Sequence, residues 1–423
     1  MNVRLFKAAL LDALLAYAPD IYLRFLRGGR LAQGARRRLV QQSASASRLE
    51  QARRVLVVDS DFPDPTRNAG SKAIYHVVET LVEAGAELSF WSTSRSPSAK
   101  GEELLRRMGV RTAARQRRRD LSTWLGSMGC TRPFDAIVLS RPSNAAIYGA
   151  DARLLGSDHC VYYGHDIHFL RLQNMRAAVP GSGARFELAC MRRIERRIWR
   201  SQDLILYPSE EEAGYVNAYR SSLSLVANAE VLPLWAAPEA PELEPVPTGR
   251  RGMLFVGSYE HAPNVDGLDW FFREVLPLVR ARGCDEPVYV VGAGMEQYVP
   301  PVASPTVEIL GWLDESALQL MYERVRVALV PLRYGGGVKG KILDAMAHGI
   351  PCVTTTAAAH GLWDALSLLE PRDDADGFAE TLLRLSSENS LWVDRSAQSL
   401  AFLHRAYSRD AFRTRITKLI LRS

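Results

Sequence analysis

The sequence predicts an α/β chain of two alternating β/α domains, each built on a parallel sheet, behind a basic helical arm. Three observations carry this reading. Short apolar runs such as VLVVD (55–59), AIVLS (136–140), MLFV (253–256) and VALVPL (327–332) recur in both halves. Such runs suit strands buried on both faces, as in parallel sheets. Helix-length segments separate them, the βαβ alternation of a doubly wound fold. A proline-rich stretch, AAPEAPELEPVPTGR (236–250), divides the halves and reads as a stiff linker.

Size and charge narrow the function classes. At 423 residues, 47% hydrophobic and 24% charged, the chain is long enough for two domains with full cores and has an ordinary globular composition. The net charge of +6 is uneven: residues 1–54 hold 11 Lys/Arg against 3 Asp/Glu, whereas the remainder holds 42 against 44. A nearly neutral globular part argues against extended nucleic-acid binding. The five cysteines form no CxxC or CxxH pair, which suggests neither a zinc site nor a disulfide framework and fits a reducing, cytoplasmic compartment. Leu5 to Ala18 is interrupted by Lys7 and Asp12, too short to span a membrane and unlike a signal peptide.

The elements follow in order. Residues 1–50 form the arm: Phe6, Leu10 and Leu14 make an apolar helical face, and IYLRFLRGGRLAQGARRR follows. Such a segment suits an anionic membrane surface, or packing on the protein. The first domain, 51–235, opens with the strand at 55–59, a turn-rich loop DFPDPTRNAGS (61–71), a helix from Lys72 to Ala84 and the strand ELSFWST (87–93). RTAARQRRR (111–119) reads as a solvated loop. The strand HCVYYG (159–164) runs into GHDIHFLRLQ, placing His165, Asp166 and His168 at the carboxyl end of a parallel strand, where such folds carry functional groups. Zinc held by these three is the rival reading, but their spacing matches no standard motif. A long amphipathic helix, a strand and a helix capped at Ser209, with Glu212 three residues on, close the domain.

The second domain, 251–407, begins with a strand leading through Gly257 and Ser258 into a helix near Asn264, followed by the strands PVYVVG and VEILG. Then comes the stretch around which the chain is organised, VRVALVPLRYGGGVKGKILDAMAHGIPCVTTT (325–356). It reads as strand, glycine turn, helix and strand. Gly335, Gly336 and Gly337 allow close backbone approach, and a helix from Val338 to His348 starts there, with Lys339 and Lys341 in its first turn. Backbone NH groups, the positive helix end and two lysines make an anion site suited to a phosphate or diphosphate. The pattern is not a Walker loop, because Ile342 follows Lys341. AAAHGL (357–362) reads as a loop; SLLEP (367–371) and a helix from Asp374 to Ser386 complete the alternation.

From Pro331 to Thr355 the chain resembles the nucleotide-binding segment of retaining GT-B glycosyltransferases of the large group called family 4, P-L-x-x-G-x-G-x-K-x-K-x-L-E-A-M-A-x-G-x-P-V-V-x-T, with Asp344 where the family usually has Glu. The first loop (61–71) and the R-x-x-D-x-I-x-x-x-S-x-x-E run at 200–212 are similar to it as well. The resemblance implies a GT-B fold, two Rossmann-like domains facing across a cleft, with a last helix (408–423) crossing back to the first. It implies a metal-independent glycosyltransferase using a nucleoside diphosphate sugar with retention, and a glycan or lipid-linked acceptor; neither a cofactor nor a bound metal is expected. The implied roles are catalytic for His165, Lys339 and Asp344, the last holding the ribose hydroxyls. Donor binding falls to Gly257, Ser258, Gly335, Gly336, Gly337, Val338 and Lys341, with Trp312 and Leu313 at the base. Gly70, Ser71, Asp166 and His168 belong to the acceptor or phosphate side. Two departures stand out. Gly336 occupies the place of a usual sugar-contacting Glu, and the loop SYEHAPNVDG has no Lys or Arg. The alternatives are a non-catalytic sugar-nucleotide-binding protein and another GT-B enzyme such as a sugar-nucleotide epimerase.

Overall fold

A computed structural model describes residues 52–115, 121, 124, 134–154, 157, 159–178, 185–234 and 249–422. The arm (1–50), residues 116–119 of the arginine-rich run and nearly all of the linker lie outside the described residues. The chain divides into two compact units: one runs to Leu232 and regains the chain from Arg413, and the other is essentially Pro233–Phe412. None of the described helices is long and apolar enough to cross a membrane.

The first unit is a seven-stranded parallel sheet in the order β3-β2-β1-β4-β5-β6-β7. The strands are β1 (Arg54–Asp59), β2 (Glu87–Ser92), β3 (Arg111–Ala114), β4 (Ala136–Ser140), β5 (Cys160–Tyr163), β6 (Leu204–Tyr207) and β7 (Ala229–Val231). Every residue of β1, β4, β5 and β6 is buried, which is why these strands read as unbroken apolar runs. The helices are α1 (Ala69–Glu83), α2 (Ala99–Arg107), α3 (Pro142–Leu154), α4 (His168–Ala178), α5 (Arg185–Ser201) and α6 (Glu210–Ser221). Helix α1 starts three residues earlier than the sequence suggests. Asn68 caps it by accepting from Ser71 N at 2.9 Å, so Gly70 and Ser71 sit in the first turn rather than in the loop. Residues 111–114, expected in a loop, form the edge strand β3, paired Phe90 to Thr112. An exposed arginine at its start suits an edge, where pairing is one-sided.

The second unit is a five-stranded parallel sheet in the order β10-β9-β8-β11-β12. Its strands are β8 (Met253–Val256), β9 (Val288–Val291), β10 (Val307–Gly311), β11 (Val327–Val330) and β12 (Cys352–Thr354), and its main helices are α7 (Ala262–Trp270), α8 (Leu276–Ala281), α9 (Glu315–Arg324), α10 (Gly340–Ala347), α11 (Ala375–Ser387) and α12 (Asn389–Ala406). A π-turn, Phe271–Val275, joins α7 to α8 just before Pro277, whose missing amide cannot continue the ladder. Two expectations are corrected. Residues 366–369, overlapping the SLLEP segment (367–371), and 356–359, overlapping the AAAHGL segment (357–362), are short helical turns, the second capped by Thr355. A run of two or three leucines cannot distinguish a strand from a buried helical turn. Helix α13 (Arg409–Ile416) leads into a last turn, Thr417–Leu421, anchored on the first unit. There Arg415 donates to Val231 O at 2.8 Å, and the Leu419 carbonyl lies 2.8 Å from His159 Nε2.

Candidate functional site

In both sheets the order reverses beside the first strand, between β1 and β4 and between β8 and β11. The carboxyl ends of strands flanking such a point form a crevice that ligands enter. Most of the expected site residues lie at these two edges, one set on each unit.

On the second unit, Gly257 and Ser258 end β8, Trp312 and Leu313 follow β10, and residues 335–338 lead from β11 into α10. The strand ends touch closely. A Cβ on Gly292 would lie 2.1 Å from Gly257 O, and one on Gly257 would lie 2.8 Å from Lys341 Nζ. Trp312 is 60% exposed, an uncovered indole at the sheet's edge that offers a stacking face. Gly337 takes φ 65, a left-handed turn that delays the helix. Helix α10 therefore starts at Gly340, with Lys339 as its N-cap instead of a first-turn residue. The buried Lys339 ammonium turns back on the glycine turn and donates to Gly337 O at 2.6 Å and Gly336 O at 3.1 Å. Lys341 points elsewhere, donating to Asn264 Oδ1 at 2.7 Å and lying 4.4 Å over the Phe255 ring. Burial, and then the charge of Lys339, lower its pKa to about 7. Asp344, one turn further along, is half-buried, and its carbonyl lies 2.8 Å from His348 Nδ1. Glycine backbone, a helix start and two ammonium groups can together receive a diphosphate.

On the first unit, His165 stands after β5 with Nε2 3.0 Å from Ser140 Oγ. Its Nδ1 lies 3.6 Å from where a Cβ on Gly70 would be. Burial, and then the Arg141 charge, lower its pKa to about 3, so the imidazole is neutral at working pH. Arg141 takes φ 71, its Nε donates to buried Asp59 at 2.9 Å, and its Nη2 reaches within 3.3 Å of the same point on Gly70. Ser71 is buried, and its hydroxyl accepts from Asp64 N at 2.8 Å. Asp166 and His168 turn away into an ion-pair network: His168 Nδ1 to Asp166 Oδ1 is 2.8 Å and Arg171 to Asp166 Oδ2 is 3.0 Å. Burial works against the Asp166 charge, but His168 and Arg171 outweigh it and hold the carboxyl below its usual range. Glu195, fully buried, accepts from His168 N and Phe169 N at 3.0 and 2.9 Å and so caps α4. Among the described residues no group of three or more His, Cys, Asp or Glu could hold a metal.

Burial raises the Glu195 pKa to about 7, and that sets a sign. A group whose folded pKa exceeds its unfolded value stabilises fully below the unfolded value and loses that contribution as pH rises through the folded one. His168, also raised, acts in the same direction. The wild-type chain should therefore lose stability between about pH 5 and about pH 8, and Glu195→Gln should remove about 1–3 kcal/mol of that loss. Urea midpoints of both proteins at the two pH values measure it; equal pH slopes would refute the assignment.

Sequence reasoning missed Arg141, Glu195 and Asn264. Arg141 directly follows a buried strand and precedes Pro142 at a helix start, a signal that could have marked it. Glu195 and Asn264 act through partners in other elements, and nothing in their local sequence indicates this.

Residues 250–388 match the family model described as Glycosyl transferases group 1. An uncharacterized 44.6 kDa protein in the cps region of Klebsiella pneumoniae is 27% identical over 116 residues, 26% of this chain and 30% of the relative. Among solved structures, the chain is similar to a sucrose-phosphate synthase from Thermosynechococcus elongatus (TM-score 0.61, 13% identity, 87% of this chain and 98% of that one). It is also similar to the Anabaena protein HepE in complex with UDP and glucose (0.57, 13%, 86% and 98%) and a UDP-forming trehalose-phosphate synthase from Burkholderia xenovorans (0.57, 13%, 86% and 97%). At these identities the structural likeness establishes the fold, which is GT-B.

Proposed function

We propose that the chain, whose residues 250–388 match the Glycosyl transferases group 1 model, transfers a sugar from a nucleoside diphosphate sugar to a glycan or lipid-linked acceptor. The observation that carries the reading is that the matched segment spans the whole carboxyl edge from Gly257 to Asp344, where glycine backbone, a helix start and two lysines converge. Of the similar structures, one is a complex with UDP and glucose and another a UDP-forming synthase, which supports a diphosphate leaving group. The cps-region relative favours a role in polysaccharide assembly. Residues 1–40, basic and amphipathic in sequence, suit the inner face of a cell membrane.

The chemistry follows from charge. As the sugar leaves, negative charge grows on the diphosphate, so groups aimed at it accelerate the reaction more than they strengthen ground-state binding. In this reading the α10 start, Lys339 and Lys341 meet that charge without a metal, and Asp344 receives the ribose hydroxyls. Trp312 and Leu313 flank the base, and Gly335 to Val338 approach the phosphates. Neutral His165 offers a hydrogen-bond partner to a sugar or acceptor hydroxyl on the first unit. Transfer with retention fits the same arrangement.

The test is release of nucleoside diphosphate from a panel of nucleoside diphosphate sugars, with and without EDTA. We expect slow donor hydrolysis that persists in EDTA. Loss in EDTA with recovery on adding magnesium or manganese would replace the lysines by a metal as the charge partner. Binding without turnover would favour a non-catalytic sugar-nucleotide-binding protein, the reading that Gly336 in place of a glutamate suggests.

A further inference from the structure

Arg141, directly after β4, is held in a backbone conformation that its own side chain disfavours. It takes φ 71, in the left-handed region, and such strain persists only where the surroundings impose it. Here they do: Arg141 N donates to Tyr163 O at 3.2 Å, and its carbonyl accepts from Ala145 N at 3.1 Å. The side chain is fixed as well. Its Nε donates to Asp59 Oδ1 at 2.9 Å, and Asp59 is buried at the end of β1. The Nη groups have no acceptor among the described residues, and the side chain is 30% exposed. The mechanism proposed above makes no use of this guanidinium.

These donors face a cradle in the first turn of α1. Around the point where a Cβ on Gly70 would stand, Arg141 Nη2 lies at 3.3 Å and His165 Nδ1 at 3.6 Å. His165 Nδ1 is itself a donor. The other ring nitrogen, Nε2, lies 3.0 Å from Ser140 Oγ, a fully buried hydroxyl with no other partner among the described residues. That hydroxyl satisfies its hydrogen only by donating to Nε2, which leaves the proton of the neutral imidazole on Nδ1. Asn68 Oδ1 is also 3.6 Å from the Gly70 point, but it already accepts from Ser71 N. The cradle therefore offers donors to a ligand. A saccharide hydroxyl would find no ready partner there for its hydrogen, whereas an oxyanion needs none. A guanidinium anchored through Nε presents its Nη groups as a fork, the geometry that suits a carboxylate or phosphate.

We propose that Arg141, with His165 Nδ1–H and the bare face of Gly70, binds an anionic group of the acceptor, so that this chain glycosylates an acidic saccharide, one carrying a phosphate or a carboxylate. This rests on the glycosyltransferase reading. The anion is held and not transferred: no bond to it forms or breaks. Arg141 is a specificity-determining residue in this account, reading the charge of the acceptor. Asp59 is its positioning partner, and the strained turn before Pro142 sets the direction of the fork.

Transfer kinetics of the full chain test this, with the sugar nucleotide that wild type hydrolyses as donor. The acceptors are neutral mono- and disaccharides and the same saccharides carrying a phosphate or a uronate carboxylate. We expect kcat/KM to favour acidic acceptors over their neutral counterparts by about tenfold or more. Arg141→Gln should erase that preference by raising the acceptor's KM about tenfold to a hundredfold, as befits loss of a hydrogen bond to a charged group. Arg141→Lys, which keeps the charge and loses the fork, should restore part of it. Arg141→Gln leaves the buried Asp59 without its partner, so Gly70→Ala supplies a variant that should fold. Position 70 lies in helix α1, where alanine is favoured over glycine, and the Arg141 tip 3.3 Å from the new methyl can shift. Its melting temperature should not fall, yet the methyl fills the cradle and should erase the acidic preference. No preference for acidic acceptors, a preference that survives Arg141→Gln and Gly70→Ala, or a loss that falls on the donor's KM would overturn the proposal while the glycosyltransferase reading stands. Turnover of no sugar nucleotide would remove that reading and the proposal with it.

Discussion

Replacing His165 with alanine is expected to cut turnover by roughly tenfold to a thousandfold, the range for a polar group acting in the transition state. Nucleotide affinity should barely change, because the expected nucleotide residues belong to the other unit. The pH profile adds a second readout. With its pKa held near 3 by burial and Arg141, His165 stays neutral, so its own titration should leave no inflection in the activity near pH 6.5. Melting temperature controls for folding, since losing the Nε2 contact to Ser140 Oγ disturbs one hydrogen bond only. Wild-type turnover in a folded alanine variant would remove His165 from the chemistry.

Gly292→Ala should have the largest structural effect. The residue holds φ 143, and an added Cβ would stand 2.1 Å from Gly257 O and 2.6 Å from Gly257 C. These are backbone atoms that cannot swing aside as a side chain would. Both the φ strain and the overpacking oppose the substitution, each costing about 1–3 kcal/mol. Any relaxation must displace Gly257 and the Lys341–Asn264 contact beside it. We expect a clear fall in melting temperature and loss of nucleoside diphosphate binding at ligand concentrations that saturate wild type. An alanine variant that melts and binds like wild type would show that β8 and β9 do not meet as described.

The strands of both sheets were legible because parallel strands are buried on both faces. Runs such as Val55–Val58 and Val327–Val330 need no alternation to be recognised. The glycine turn before α10 was equally plain, since three consecutive glycines in a βα connection have few other uses. Residues 111–114 escaped because an edge strand is neither fully buried nor strongly patterned, and the arginine-rich run it opens resembles a loop. The start of α10 was misplaced because the left-handed turn at Gly337 is a backbone property that the letters permit but do not impose. Sequence spacing put both Lys339 and Lys341 in the first turn of one helix. The fold separates them, sending one ammonium onto the glycine carbonyls and the other to Asn264, 77 positions away. Arg141 was invisible for a related reason: its partner Asp59 lies 82 residues earlier and becomes a neighbour only when β4 pairs with β1.

The central claim is that the carboxyl edge of the second sheet receives the diphosphate of a sugar nucleotide, with lysine as its charge partner. Equilibrium titration of wild type and Lys339→Ala with a panel of nucleoside diphosphates, in EDTA, tests it most directly. The account predicts saturable binding of at least one of them without metal, weakened by about tenfold to a hundredfold in the variant, as befits loss of a hydrogen bond to a charged group. Absence of binding in EDTA, or equal affinity in the folded variant, would contradict it.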